Sequence, residues 1–342
     1  MTNERKNRQW LLARRPQGAV SDSDFRLTEG PAPAPADGEV LVRNIYLSAD
    51  PTQRGWIAGD TYLPAVKIGE VVRSFAAGRV VESRNPKFPV GQMVQGLFGW
   101  QDYAVARPGG APSPSPLPPG VPLETAMSAL GLTGVTAYFG LLEVGRPQPG
   151  DTVVVSGAAG ATGSAVGQIA RIKGCRAIGV AGGPEKCRLL REEFGFDGAV
   201  DYKSENLTAR LKELCPKGID VFFDNVGGEV LDAALALLAM RARVVICGAI
   251  SSYNDARPAT GPKNYLNLIV KRARMEGFLV LDHMARAGEA GAAIAQWMKE
   301  GKFKDRVDVQ QGLENAPATL LRLFKGENRG KQLLQIAPLD AT

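Results

Sequence analysis

The chain has 342 residues, enough for about two domains, each with its own core. No apolar run reaches the roughly 18 residues that a membrane helix needs, and the charged residues 1–16 contain no apolar signal region, so neither a membrane span nor a secretory leader is expected. Lys and Arg number 41 against 35 Asp and Glu, a net charge of +6 that is scattered; its densest patches, Arg14-Arg15 and Lys271-Arg272-Ala273-Arg274, lack the interleaved aromatics of a nucleic-acid surface.

In chain order, residues 1–107 read as short strands broken by Gly and Pro, at 39–47, 70–72, 78–83, 92–97 and 103–106. Turn signals at such close intervals favour a compact β-rich, barrel-like unit. The proline-dense stretch 108–122 cannot be a helix or a central strand and reads as an extended connector. Buried-strand candidates follow at 152–155, 177–180, 199–201, 221–225 and 244–248, alternating with helical patterns at 164–173, 185–194, 207–215 and 229–240. That alternation implies a doubly wound parallel sheet in an α/β fold. The last residues carry a helix tail at 320–324 and a strand at 331–336, too little to fold alone, so they are expected to return to the first domain. The expected division is 1–122 with 305–342, and 123–304.

The strand at 152–155 runs into Ser156-Gly157 and then the turn Ala158-Ala159-Gly160-Ala161-Thr162-Gly163. Strand, glycine turn and helix in that order aim backbone N–H groups and a helix N-terminus at a pyrophosphate. Gly160 lets the backbone approach the phosphates, and Gly163 lets helix and strand pack closely. Ala158 stands where the usual fingerprint has its first glycine, and a plain tight turn is the other reading of the pattern.

A dinucleotide site for NAD carries Asp or Glu at the end of the second strand, to bind the ribose 2′-hydroxyl. Here that strand ends Val180-Ala181-Gly182-Gly183, with Lys186 close behind. An absent acid and a nearby cation suit a 2′-phosphate, so NADPH is expected over NADH. Glu185 can be read as the missing acid or as a carboxylate favoured in the first turn of a helix, and Lys186 as the phosphate reader or as a surface lysine.

Cys175, Cys187, Cys215 and Cys247 form no C-x-x-C pair, and His283 is the one histidine, read as an ordinary surface or helix-start residue. A zinc site is therefore not expected, and reduced, mostly buried thiols suit a cytoplasmic protein. Tyr138 lacks the lysine four residues on that short-chain reductases use. The chemistry is left to hydrogen bonds and positioning.

Further elements are Leu47-Ser48-Ala49-Asp50-Pro51 with Arg54, Tyr62-Leu63-Pro64, Asp201-Tyr202-Lys203, Glu276-Gly277-Phe278 and Gly326-Glu327-Asn328-Arg329-Gly330-Lys331, and two that are more specific than the glycine turn, Phe223-Asp224-Asn225-Val226-Gly227-Gly228 and Cys247-Gly248-Ala249-Ile250-Ser251-Ser252-Tyr253-Asn254. Over nearly its whole length the chain resembles the zinc-independent medium-chain dehydrogenases/reductases. The similar branch contains the leukotriene B4 12-hydroxydehydrogenase/prostaglandin reductases and the plant alkenal double-bond reductases.

The resemblance implies a Rossmann-type domain and a GroES-like barrel domain. It implies that Gly160, Ala161, Thr162 and Gly163 hold the pyrophosphate, and that Lys186 and Tyr202 meet the 2′-phosphate. Asn225 would face the nicotinamide ribose, Cys247, Gly248, Ala249, Ile250, Ser251 and Tyr253 would wrap the cofactor, and Phe278, Leu279, Val280 and Asn328 would lie near the nicotinamide. Asn225 and Asn328 can equally be turn residues. Arg54, Tyr62 and Tyr253 are the substrate-side candidates.

The implied reaction is NADPH-dependent reduction of an activated carbon–carbon double bond, with Tyr253 as donor to the developing enolate oxygen or, alternatively, as a packing residue of its loop. The family pattern has an aromatic after Asp50-Pro51, where this chain has Thr52, which alters the substrate cleft. A quinone reductase and a cofactor-binding protein without turnover are the alternatives. A homodimer is expected, with residues 277–281 as the edge strand that pairs across a two-fold axis.

Overall fold

The structure is a computed structural model that describes residues 5–255 and 260–340. The chain divides into two compact units, one built from residues up to Met127, Asp308–Asn328 and those from Gln332, the other from Ser128–Val307 and Arg329–Lys331.

The first unit is organised by the strand Val40–Ser48, whose side chains are almost all buried. One edge of it pairs antiparallel with Ala76–Ser83. The opposite edge is shared: Tyr103–Ala106 takes its first half and Lys331–Gln335 its second, so a strand from the far end of the chain completes this sheet. Met93–Gly96 and then Ser115–Pro116 extend the sheet outward. The proline stretch thus contributes an extended edge piece, where a missing N–H does no harm. Trp56, Phe98, Trp100, Leu320 and Leu334 sit in one apolar core under this sheet.

Residues 70–72 form no strand. Leu12 N donates to Glu70 O and Val72 N to Trp10 O, both at 2.9 Å, so the contact with the hairpin is a single bridge at Leu11 and Val71. The hairpin itself, Lys6–Leu12 against Phe25–Pro31, is anchored by Asp102. That buried carboxylate accepts from Arg8 Nε at 2.9 Å and Arg8 N at 3.0 Å and pairs with Arg43 at 2.7 Å. Burial alone would raise the Asp102 carboxyl, but the two guanidinium groups outweigh it and hold it below its ordinary value.

In the second unit six parallel strands lie in the order Gly198–Asp201, Arg176–Ala181, Thr152–Ser156, Ile219–Asp224, Leu238–Ile246, Arg274–Gly277. Numbered along the chain this is the 3-2-1-4-5-6 order of a doubly wound Rossmann sheet. Successive side chains of a strand point to opposite faces. Val153, Val155, Ala177 and Phe223 accordingly pack with Val166 and Ile169 of the helix Ala161–Ile172. Val154, Ile178, Phe222 and Val244 pack with Leu211, Val230 and Leu235 on the other face. Both faces are covered, which is why these strands read as continuous apolar runs.

Two expected elements are displaced. The helix anticipated to Met240 ends at Ala236, and Leu238–Ile246 is already strand. The Ala/Leu composition there suits a helix, but parallel pairing of Leu238 with Ile219 overrides propensity. The edge strand is Arg274–Gly277 rather than 277–281. It stops because the Phe278 ring turns inward against Phe223, 6.3 Å away and edge-on, and the chain continues as the short helical segment Val280–Arg286. Among the described residues no helix is long and apolar enough to cross a membrane.

Candidate functional site

In a 3-2-1-4-5-6 sheet the strand order reverses between the first and fourth strands, and ligands bind outside the carboxyl ends at that point. The two strands are Thr152–Ser156 and Ile219–Asp224. The glycine turn leaves the first of these ends and Asn225-Val226-Gly227-Gly228 the second.

The glycine turn follows the first. Its positive φ, +58°, falls at Gly157, one residue before the position of the fingerprint's first glycine. The Ser156-Gly157 pair was the signal for it. Ala158 is tolerated because it is fully buried, its N–H donating to Val180 O at 3.1 Å. Gly160 is the extended N-cap of the helix Ala161–Ile172, and no side chain caps that helix. A helix N-terminus of this kind suits an anion. At Gly163 a Cβ would stand 2.4 Å from Gly157 O and 2.8 Å from Ala158 Cα, so only glycine lets helix and turn meet. Gly330 N donates to Ala159 O at 2.9 Å and places the segment Arg329–Lys331 on the turn.

The ends of the second and third strands form the next part. Gly182 lies under Tyr202: a Cβ there would be 2.9 Å from Tyr202 Cε1 and 3.0 Å from Lys203 Cε. Lys186 stands in the first turn of the helix Pro184–Glu192, and Tyr202 is half-exposed. Glu185, in the same turn, accepts from the Arg329 guanidinium. Asp201 is buried, with Gly183 N donating to its Oδ1 at 2.7 Å and Lys203 N at 3.0 Å, and Ser204 Oγ donating to Oδ2 at 2.8 Å. Burial would raise its carboxyl, but these donors hold it below its ordinary value. Asp201, Lys203 and Arg329 were not among the expected site residues, although the Asp-Tyr-Lys run and the Asn-Arg-Gly-Lys run were noted.

The third part straddles the switch point. Ser156 Oγ donates to Asp224 Oδ1 at 2.7 Å and accepts from Asn225 N at 2.8 Å, while Asn225 Nδ2 donates to Ser156 O at 2.8 Å. Gly227 N and Val226 N, each at 3.0 Å, also donate to Asp224 Oδ1. Burial raises the Asp224 carboxyl, and the donors from Gly227, Ser156 and Val226 only partly offset it. The turn 224–228 in turn carries the loop after the fifth strand. Cys247 N donates to Asp224 O at 2.8 Å, Ile250 N to Asn225 O at 3.3 Å and Ser251 N to Val226 O at 3.1 Å. Gly248 packs on the Tyr253 hydroxyl, which accepts from Ala249 N at 3.2 Å. Desolvation, with the Asp224 charge behind it, pushes the Cys247 thiol up to about 12, so it is no thiolate nucleophile at neutral pH.

Phe278 fills the space above Gly140, where a Cβ would be 2.4 Å from its ring, and Leu279 and Val280 lead into the segment Val280–Arg286. His283 stacks on Phe139 at 4.8 Å with Nδ1 3.4 Å from Glu143, a packed role rather than a catalytic one. In the first unit Arg54 is buried and its Nη2 donates to Gly18 O at 2.8 Å. The Tyr62 hydroxyl is 2.7 Å from Thr52 Oγ1, the residue standing in the family's aromatic position. Asn328 follows the helix Ala316–Lys325 in a loop.

Residues 8–112 match a family described as the N-terminal domain of oxidoreductase, and residues 161–296 match one described as zinc-binding dehydrogenase. The chain is 42% identical over 343 residues to the NADPH-dependent curcumin reductase of Escherichia coli K12, covering 98% of this chain and 99% of that protein. It is 38% identical over 343 residues to the NADP(+)-dependent 2-alkenal reductase of Nicotiana tabacum, with the same coverages, 98% and 99%. The crystal structure of CurA from Vibrio vulnificus in complex with NADPH superposes with a TM-score of 0.91 at 41% identity, over 97% of this chain and 99% of that one.

The chain belongs to the zinc-independent branch of the medium-chain dehydrogenases/reductases. Although the second family is described as zinc-binding, a zinc ion does not fit here. Among the described residues no three His, Cys, Asp or Glu side chains are placed to hold a metal, and three of the four cysteines are buried. The glycine turn and the 223–228 and 247–254 motifs map onto the strand ends just described.

Proposed function

We propose that this protein reduces the carbon–carbon double bond of α,β-unsaturated ketones and aldehydes. NADPH is its cofactor, and when bound it supplies the hydride that the β-carbon accepts. The carrying observation is the likeness over almost the full length to a 2-alkenal reductase and a curcumin reductase. One histidine in the chain, and no metal-ligand set among the described residues, also favour hydrogen bonding as the means of polarising a carbonyl.

In this reading the uncapped helix N-terminus at Gly160, Ala161, Thr162 and Gly163 holds the pyrophosphate, and Lys186 and Tyr202 hold the 2′-phosphate. Asn225, Cys247 to Tyr253, Phe278 to Val280 and Asn328 line the nicotinamide end, and Arg54 and Tyr62 serve the substrate side. Tyr253 stabilises the enolate oxygen. The N–H that Ala249 donates to its phenol oxygen polarises the O–H for that task. Four unpaired cysteines, three of them buried, suit the reducing cytoplasm.

A homodimer is part of the proposal. The outer edge of Arg274–Gly277 is at the end of the sheet, and Ile269 and Val270 beside it are 74% and 61% exposed. Sedimentation at micromolar concentration should give a dimer that Ile269→Asp dissociates; a monomeric parent chain would remove it.

The function is tested by following NADPH absorbance with a linear enone, an enal and a quinone in parallel. Consumption with the enone and enal is expected. Turnover of the quinone alone would make the protein a quinone reductase, and binding without consumption would make it a cofactor-binding protein.

A further inference from the structure

Lys186 and Tyr202 stand on different elements: one in the first turn of the helix Pro184–Glu192, the other after the strand Gly198–Asp201. Something must fix their relative position if both are to meet one phosphate. The backbone before Lys186 offers little stiffness of its own. Gly182 and Gly183 have no side chains, Gly183 has φ +98°, and glycine loses the most conformational freedom on ordering.

Asp201 spans this gap. It is paired across the sheet with Ala181, so its carboxylate stands level with the end of the second strand. Oδ1 takes the Gly183 N–H at 2.7 Å, fixing the N-cap of the helix that carries Lys186. The same oxygen takes the Lys203 N–H at 3.0 Å, and Oδ2 takes the Ser204 hydroxyl at 2.8 Å, fixing the turn that presents Tyr202. Asp201 N completes the turn by donating to Glu205 Oε2 at 2.7 Å. The Tyr202 ring then lies on Gly182, at the distance where a Cβ would collide.

We infer that Asp201 is a positioning residue for nucleotide selectivity: it clamps the Gly182-Gly183 turn to the Tyr202-Lys203 turn and so builds the pocket for the 2′-phosphate without touching it. The inference rests on the NADPH reading above, with the phosphate between Lys186 and Tyr202. It also explains how a carboxylate at the strand ends coexists with an anionic ligand, since the charge is consumed by two N–H groups and a hydroxyl instead of facing the pocket.

The test compares 2′,5′-ADP with 5′-AMP, two probes that differ in the 2′-phosphate alone, by calorimetric titration of the full chain. Asp201→Ala and Asp201→Glu, which deletes or displaces the acceptors, are expected to weaken 2′,5′-ADP by about tenfold or more. Neither should change 5′-AMP by more than about threefold. Asp201→Asn keeps an acceptor oxygen for the Gly183 and Lys203 amides and should restore 2′,5′-ADP to within about threefold of the parent chain. If Asp201→Ala does not fold, the Glu and Asn variants decide alone.

Equal weakening of both probes, or no weakening of 2′,5′-ADP, overturns the positioning role. Failure of the NADPH reading looks different: the parent chain would bind both probes equally, or Lys186→Ala would leave 2′,5′-ADP untouched. Equal binding by the parent chain would remove the inference too.

Discussion

Arg329 donates to the carboxylate of Glu185, joining residues 144 positions apart at the edge of the glycine turn. The sequence left Glu185 with two readings, ribose acid or first-turn helix residue. It occupies the first turn of Pro184–Glu192, the place the second reading gives it, and is also paired with the Arg329 guanidinium. Glu185→Gln should therefore leave the NADPH/NADH ratio of kcat/KM within about threefold. Lys186→Ala should lower that ratio about 10- to 100-fold, the worth of a charge-assisted contact. Initial rates with the two nucleotides check both.

Gly163 and Gly160 differ in what a methyl would meet. At Gly163 it strikes backbone of Gly157 and Ala158, whereas at Gly160 its nearest neighbour is Gly157 O at 3.2 Å. Gly163→Ala should lose about 2 kcal/mol of stability and Gly160→Ala no more than about 1 kcal/mol. Thermal melting without nucleotide separates them.

Asp102 carries a pH dependence. Its folded carboxyl is held below the unfolded value of about 4, so its contribution is present above that pH and is lost as pH falls through the folded value. Asp102→Asn leaves Arg43 without its counter-charge and Arg8 with Glu314 alone, at 3.5 Å, and should cost about 3 kcal/mol at neutral pH. The difference from the parent chain should shrink as the pH drops below about 4, read from urea midpoints across that range. A pH-independent difference would mean that the charge is not what stabilises.

Tyr253→Phe removes the phenol that Ala249 N–H reaches. A donor to a developing oxyanion is worth about 10²–10³ in rate, so kcat on an enone should fall by that much. NADPH affinity, measured by titration, should change little. An unchanged kcat would return Tyr253 to a packing role.

The Rossmann sheet was legible because strands buried on both faces leave apolar runs that few other structures need, as at Thr152–Ser156 and Ile219–Asp224. The hairpin Lys6–Leu12 with Phe25–Pro31 was missed because its residues are largely polar and half-exposed, with a register fixed by Asp102 far along the chain. At the site, the glycine turn showed itself by spacing. The Asp201 clamp did not, because one carboxylate reaching Gly183 across a sheet has no spacing signature. Likewise Ser156 and Asp224 meet only once the first and fourth strands lie side by side.

The most direct measurement uses NADPH deuterated at the transferable position of nicotinamide C4, with a linear enone as acceptor. The account predicts a saturated ketone carrying the label on its β-carbon. Label on the carbonyl carbon of an allylic alcohol, or no transfer from NADPH, would contradict it.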